Sequence, residues 1–398
     1  MGSKIKLSFA TIIFISVTLF FGCKKEASLT PNVSAPTINK DLDVFVQNYF
    51  ESKYLLLIES QSTKVEGSSK KVASFFSTNT EAEKCLNDIN NQRAIRATAE
   101  LVYTGFDVKA DVDYTSFKNE GDLISFRVEV FFSYTTNGKD LQTGEAITPA
   151  GYELYSFTVS KKDQGLLIIN IEQAVDENYN PGIVSMESDM PPSLDKNMAS
   201  YTYSGYTAAT FAIAHWNMVT NISNYCNYTN SGGDCTNFTS RCLRQGGWKQ
   251  TNNWFYTSNG SSGNNMVTYK RSPSWTGANQ FYQFISNTGQ YAGVNGNNRV
   301  TPKFTNLLVP LASASTAQWA IFYNTIKVLQ KGDIVELGNG GSPAIIGHNM
   351  IVTKTQLTAP YIFVSYRNAT GYLPAGDRPL YEFYGRRVYG FFVKTSGN

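Results

Sequence analysis

Two stretches in the first half of the chain alternate so strictly that they leave little choice of fold. Phe106, Val108, Ala110, Val112 and Tyr114 alternate with Asp107, Lys109, Asp111 and Asp113. Ile124, Phe126, Val128, Val130, Phe132 and Tyr134 then alternate with Ser125, Arg127 and Glu129. Successive side chains of a strand point to opposite faces, so each stretch is a strand with one dry and one wet face. Asn137-Gly138 supplies the turn signal expected between antiparallel strands. Tyr155, Phe157 and Val159 continue the sheet, and a last strand from Leu166 to Ile171 follows the turn Asp163-Gln-Gly165. The dry face needs a cover. From Asp41, the residues Leu42, Phe45, Val46, Tyr49 and Phe50 recur at three and four and predict a helix with one apolar face. Helix then strands gives an α+β layer, a curved antiparallel sheet against a helix.

This first domain, placed at residues 41–180, resembles the nuclear-transport-factor-like cone. Its acids and bases alternate along strand faces as solvated residues do, and no cluster that could support chemistry is expected in it. The segment from Asn180-Pro-Gly182 to Pro191-Pro192-Ser193 is poor in apolar residues and punctuated by Pro and Gly, which marks a linker at 181–199. A second domain is expected over 200–398.

The N-terminus reads as an export signal. Lys4 and Lys6 precede an apolar stretch from Leu7 to Phe21, too short to span a bilayer comfortably, and Gly22-Cys23 follows. Residues 1–22 are therefore expected to be cleaved and Cys23 to be lipidated, the alternatives being a plain secretory signal or a short uncleaved anchor. Residues 23–40, low in charge and with Pro31 and Pro36, then form a tether. The expected location is the cell envelope, anchored in the membrane through Cys23. With 34 Lys and Arg against 31 Asp and Glu, the charge balance gives no reason to expect nucleic acid as a partner. Four cysteines remain, Cys85, Cys226, Cys235 and Cys242, too few for a disulfide scaffold although a Cys226 to Cys242 bridge stays open. Aromatic residues make up 14% and charged residues only 16%, a balance that suits a packed globule and not a disordered chain.

The chemistry concentrates in the second half. Gly232-Gly233-Asp234-Cys235 through Arg244-Gln245-Gly246-Gly247 reads as a glycine turn, an Asp suited to N-capping, a short helix and a double-glycine stop. Cys235 then sits at a helix N-terminus, where backbone amides and the helix dipole favour a thiolate and draw the pKa down from about 8.5. Phe238 and Cys242 share its face and read as core. A cysteine nucleophile needs a base, and the chain has two histidines, His215 and His348. Gly332–Leu337 and Gly347–Thr353 read as two strands, the second carrying His348 rigidly, while His215 lies in the small-residue helix Ala208–Trp216 and is structural. By residue type alone, a buried free thiol and a satisfied core histidine describe the pair better than a catalytic couple does.

Tyr206 with Ala208, Ala209, Ala212 and Ala214, the block Gly232-Gly-Asp-Cys-Thr-Asn-Phe-Thr-Ser-Arg-Cys-Leu243, Trp254-Phe-Tyr256, Ser274-Trp275, Gly332-Asp333 and His348-Asn-Met-Ile-Val-Thr353 resemble an amidase domain family similar to the CHAP and NlpC-type peptidoglycan amidases. The resemblance spans roughly residues 200 to 398. It implies a papain-like α+β domain, a nucleophile helix on an antiparallel sheet, with Cys235 as nucleophile and His348 as base. It also implies an orienting side chain from the following strand, for which Asn368 is the first candidate and Ser365 the second. Relatives carry a histidine in that strand where this chain has Arg367. Asp234 and Asn237 are expected to shape and cap the helix start. The activity implied is hydrolysis of an amide in cell-wall peptide or another extracytoplasmic peptide, with no cofactor and no metal. Two rivals stand beside it: a non-catalytic binding lipoprotein, and a metal site from Cys226, Cys235, Cys242 and His215, whose cysteines lack any close C-x-x-C pair.

Overall fold

The structure is a computed structural model that describes residues 35–59, 62–162, 165–173, 201–217, 234–258, 269–293, 299–340, 345–367 and 374–397. The expected cleavage and lipidation site at Cys23, the expected linker's prolines, Cys226 and Asn368 lie outside the described residues.

Three helices open the chain, α1 (Ala35–Ile58), α2 (Ser62–Ala73) and α3 (Asn79–Arg96), followed by strands β1 (Tyr103–Glu120), β2 (Leu123–Thr136), β3 (Ala150–Lys162) and β4 (Gly165–Gln173). The apolar stripe on α1 is the predicted one. Leu42, Val46, Tyr49 and Phe50 are at most 1% exposed and pack with Phe126, Val128, Phe157 and Val159 from the dry face of the sheet. α1 begins at Ala35, inside the segment expected to be tether; Pro36 falls in its first turn, where its missing N–H costs no helical bond. α2 and α3 escaped the sequence reading because their apolar residues are sparse: α3 buries only Ala82, Ile89 and Ile95. Asn137-Gly138 does not form the expected tight hairpin. Asn137 bonds back to Val102, and residues 137–149 make a longer loop closed by an antiparallel bridge between Lys139 and Ala146.

The second half runs β5 (Tyr201–Thr202), α4 (Gly205–His215), α5 (Cys235–Gln245), β6 (Tyr256–Ser258), β7 (Tyr269–Arg271), α6 (Pro273–Thr276), α7 (Ala278–Ser286), β8 (Val300–Leu308), α8 (Thr316–Ile326), β9 (Ile334–Gly338), β10 (Ile346–Thr355), β11 (Ile362–Tyr366), β12 (Ala375–Pro379), β13 (Arg387–Val393) and β14 (Ser396–Gly397). The predicted strands at 332–337 and 347–353 are β9 and β10, paired antiparallel. β9 and β10 are covered on both faces. Ile334 and Ile351 join a core with Phe238, Leu243 and Phe281 from α5 and α7, while Val335, Leu337, Met350 and Val352 join another with Trp319, Phe322 and Ile326 of α8. Mixed helix and antiparallel sheet make this an α+β fold, as expected.

The two halves share one ten-stranded open sheet in the order β1-β2-β3-β12-β11-β10-β9-β13-β8, with β4 also on β3. The joint is the pairing of Ala375 with Gly151 and of Gly376 with Ala150. Lys331 and Asp140 bridge the halves as a buried ion pair at 2.7 Å, and Leu141 N–H donates to Thr355 O at 2.8 Å.

Candidate active site

α5 is buried along almost its whole length: every residue from Cys235 to Leu243 is inaccessible. It stops where predicted. Gly247 takes φ +109 and lies so close to the Thr202 carbonyl that no side chain would fit. Asp234 occupies the N-cap position without making a side-chain cap bond. Its carboxylate instead accepts from Arg367 Nη1 at 2.9 Å on Oδ2 and from Asn237 Nδ2 at 2.7 Å on Oδ1. Asn237 Oδ1 in turn accepts from Trp275 Nε1 at 2.9 Å. The residues around the cysteine thus brace the start of α5 against the end of β11 and against α6, and the departure at Arg367 is a buried counter-charge.

The position of the thiol follows from strand register. Val352 N–H donates to Asp333 O, and Gly332 N–H donates to Val352 O, so the even-numbered backbone groups of β10 face β9 and the odd-numbered ones face β11. Among the described residues the β10–β11 ladder begins at Ile351 paired with Ser365. Asn349 is the next β10 residue turned toward that side, and its backbone lies near enough to draw the Cys235 thiol pKa down. The thiol therefore stands where β11 leaves β10, one residue along the chain from His348.

Side chains alternate around this point. Asn349 faces α5: its amide meets Thr236 Oγ1 at 3.0 Å, and with its nitrogen turned inward it donates to Glu336 Oε1 at 3.0 Å and to His348 O at 3.1 Å. Thr236 Oγ1 lies 3.7 Å from the Cys235 sulfur. His348 points to the other face, shared with Met350 and Val352, and its ring stands edge-on to Tyr366 of β11 with centroids 4.8 Å apart. Tyr366 accepts from Arg378 Nη1 at 2.6 Å, and Arg378 Nε donates to Glu382 at 3.1 Å. Ser365, the second orienting candidate, lies on the α5 face instead, where its hydroxyl meets Thr353 Oγ1 at 3.1 Å and accepts from Asp377 N–H at 3.0 Å.

Both groups are held neutral. Burial pushes the Cys235 thiol up from its ordinary value and the adjacent Asp234 charge adds to this, against the Asn349 N–H and the Thr236 hydroxyl, which pull it down. The expected lowering by the helix terminus does not win, because Cys235 is only 4% exposed and Asp234 stands beside it. Burial and the Arg378 charge draw the His348 imidazole down to about 3. Glu336, below Asn349, is held well above the usual carboxylate range by burial.

His215 caps no chemistry: its Nδ1 meets Phe211 O at 2.7 Å and its ring stacks on Phe211. Cys242 is a free thiol wholly inside the core, which removes the open disulfide with Cys226. Among the described residues no three His, Cys, Asp or Glu side chains converge as metal ligands. None of the described helices is long and apolar enough to cross a membrane. The sequence reading missed Thr236, Asn349, Glu336 and Tyr366; Asn349 beside His348 in a fully buried strand was the available signal.

Residues 202–373, less than half of the chain but including Cys235 and His348, match the family described as "Putative amidase domain". The match supports an amidase-like function in general terms. No curated protein matches the chain. Among solved structures, the intermembrane space region of the chloroplast protein ARC6 is 15% identical over 34% of this chain and 95% of its own, with a TM-score of 0.24. An Ntf2 like protein involved in plasmid conjugation is 9% identical over 42% of this chain and 56% of its own, at 0.21. A hexachlorocyclohexane dehydrochlorinase, LinA Type2, is 8% identical over 37% of this chain and 97% of its own, at 0.21. Likenesses at these TM-scores carry no argument about fold or function.

Proposed function

We propose that this chain is an exported, lipid-anchored cysteine amidase in which Cys235 is the nucleophile and His348 the base, acting on an amide in cell-wall peptide or another extracytoplasmic peptide. The observation that carries the reading is the link from the Cys235 sulfur to Thr236 Oγ1 at 3.7 Å and on to the Asn349 amide at 3.0 Å, which joins the thiol to the strand that bears His348.

The resting pair is neutral thiol and neutral imidazole, so proton transfer accompanies attack. His348 takes the thiol proton as the sulfur bonds to the amide carbon, and the oxygen of the tetrahedral intermediate is held by backbone N–H groups, that of Cys235 among them. The carbon–nitrogen bond then breaks, the imidazolium gives its proton to the leaving amine, and a thioester remains. Water, deprotonated by His348, attacks the thioester, releasing a carboxylic acid and returning the proton to sulfur. Asn368 is the proposed orienting residue, since Ser365 is already engaged by Thr353 and Asp377.

Iodoacetamide alkylation of Cys235 against pH, located by mass spectrometry in wild type and His348→Ala, tests the pair. Native Cys235 is expected to react well ahead of Cys242, with a pH dependence that moves when His348 is lost. A Cys235 that reacts only on unfolding would support the rival reading, a non-catalytic binding lipoprotein, which draws on the burial of both groups to 4% and 1% exposure. Turnover of glutamine or asparagine amides but not of muropeptides would remove the cell-wall substrate. Equal palmitate labelling of wild type and Cys23→Ala would remove the lipid anchor.

A further inference from the structure

A cavity of about 360 Å³ lies at the joint between the halves, on the line that runs from His348 through Tyr366 to Arg378. Its walls come from α3, β2, β3, the end of β4, β12 and the turn after β12, and their charged residues are Asp88, Arg96, Glu153, Arg378, Glu382 and Arg386. Its size is at the small end of cavities that enclose ligands. The first half was expected to hold no functional cluster, yet one of its residues in this cavity, Glu153, is held from behind by a polar network. Lys53, 6% exposed, donates to Tyr155 Oη at 2.6 Å; Tyr155 and Tyr54 donate to the same oxygen of Glu153, Oε2, at 2.6 and 3.0 Å.

The accounting of these charges leaves three groups over, the first being Arg96 Nη1, a buried nitrogen with no hydrogen-bond partner among the described residues. Glu382 lies between two guanidiniums, 3.7 Å from Arg96 Nε and 3.1 Å from Arg378 Nε, so these two cations share one carboxylate. Arg96 Nη2 is used on Tyr134 and Arg378 Nη1 on Tyr366. Arg378 Nη2 has no partner among the described residues, and the side chain is 33% exposed. At the other end Glu153 Oε1 likewise has no described partner, its charge held in place through Oε2. Glu153 acts electrostatically on Arg378, but no ion pair joins them. A donor and an acceptor of opposite charge thus face one cavity without meeting. Holding two opposite charges apart in a partly enclosed site is unfavourable unless something between them completes both.

We propose that this cavity binds a small zwitterion, the free end of a short peptide or an amino acid, with its carboxylate on Arg378 and its ammonium on Glu153. The guanidinium edge matches a carboxylate, and the carboxylate oxygen of Glu153 accepts from an ammonium. This binding does not depend on Cys235 or His348 being catalytic, so it stands or falls apart from the amidase reading.

The test is isothermal titration of the full chain carrying Cys235→Ser, which cannot consume the probe by a thiol route. Three probes are compared: glycylglycine, which has both charges, N-acetylglycylglycine, which has only the carboxylate, and glycylglycinamide, which has only the ammonium. Glycylglycine is expected to bind saturably, with each single-charge analogue weaker by about tenfold or more. Glu153→Gln, which keeps the shape and the tyrosine contacts, and Arg378→Gln are each expected to weaken glycylglycine by a similar factor. The proposal is overturned if glycylglycine gives no saturable heat, if the analogues bind as well as it does, or if Glu153→Gln binds it like the parent. Glu153→Gln decides alone should Arg378→Gln fail to fold.

Discussion

At the scale of single residues, Cys235 does two jobs that a substitution can separate. Its sulfur is the proposed nucleophile and also the partner of the Thr236 hydroxyl, 3.7 Å away. Cys235→Ser keeps an acceptor there and Cys235→Ala does not. Both are expected to abolish turnover, but Ala is expected to cost about 1 kcal/mol more in urea unfolding, the usual size of a buried hydroxyl left without a partner. Arg367 is the next test. It is 4% exposed and pairs with a fully buried Asp234, so Arg367→Gln leaves a carboxylate short of its counter-charge and is expected to destabilise by about 3 kcal/mol, read from denaturant midpoints. His348 predicts a pH dependence. Its pKa is about 3 folded and 6.5 as the ordinary value, so between those values the unfolded chain binds more protons and stability rises with pH. Acid destabilisation from this group begins below about pH 6.5 and is complete near pH 3. Asp333, raised to about 7, has the opposite sign in an overlapping window, so the His348 contribution is read from the difference between wild type and His348→Gln across pH 4 to 7, where the variant curve is expected to lose the rise. Cys235 and His348 stand out as candidates in the sequence because residue type and motif are local. The Arg367 pairing and the neutral state of both groups were not, since burial depends on what the rest of the chain packs against them.

At the scale of elements, α5 and β10 owe their precision to side chains that leave no surface exposed. Asn237 ties α5 to α6 and to Asp234 at once, so Asn237→Ala frees Trp275 Nε1 and one oxygen of Asp234. The expected loss is about 2 kcal/mol, with a change in tryptophan emission because Trp275 is wholly buried. The strands β1 and β2 were legible because one face is wet and the alternation shows it. β10 was placed by its apolar run, but both of its faces are dry, so its sequence did not show which side His348 takes. α2 and α3 were invisible for the reverse reason: α3 buries so few side chains that its periodicity is faint.

At the scale of the molecule, the shared sheet was the feature least available from sequence, because a pairing of two residues on each side leaves no periodic signature. It has a thermodynamic consequence. All five tryptophans lie in the second half, at Trp216, Trp248, Trp254, Trp275 and Trp319, while far-ultraviolet circular dichroism sees both halves. With Asp140 buried against Lys331 and β3 laddered to β12, thermal unfolding followed by tryptophan emission and by circular dichroism is expected to coincide in one transition. Two separate midpoints would show that the halves unfold independently. The same seam also bears on how the chain is made. Ala150 and Gly151 wait for Ala375 and Gly376, more than half the chain's length later, so until the last strands emerge that stretch of β3 is an open edge. A chain cut short before β12 therefore carries a sheet edge with nothing of its own to pair, and the molecule cannot close its first half until it has nearly finished its second.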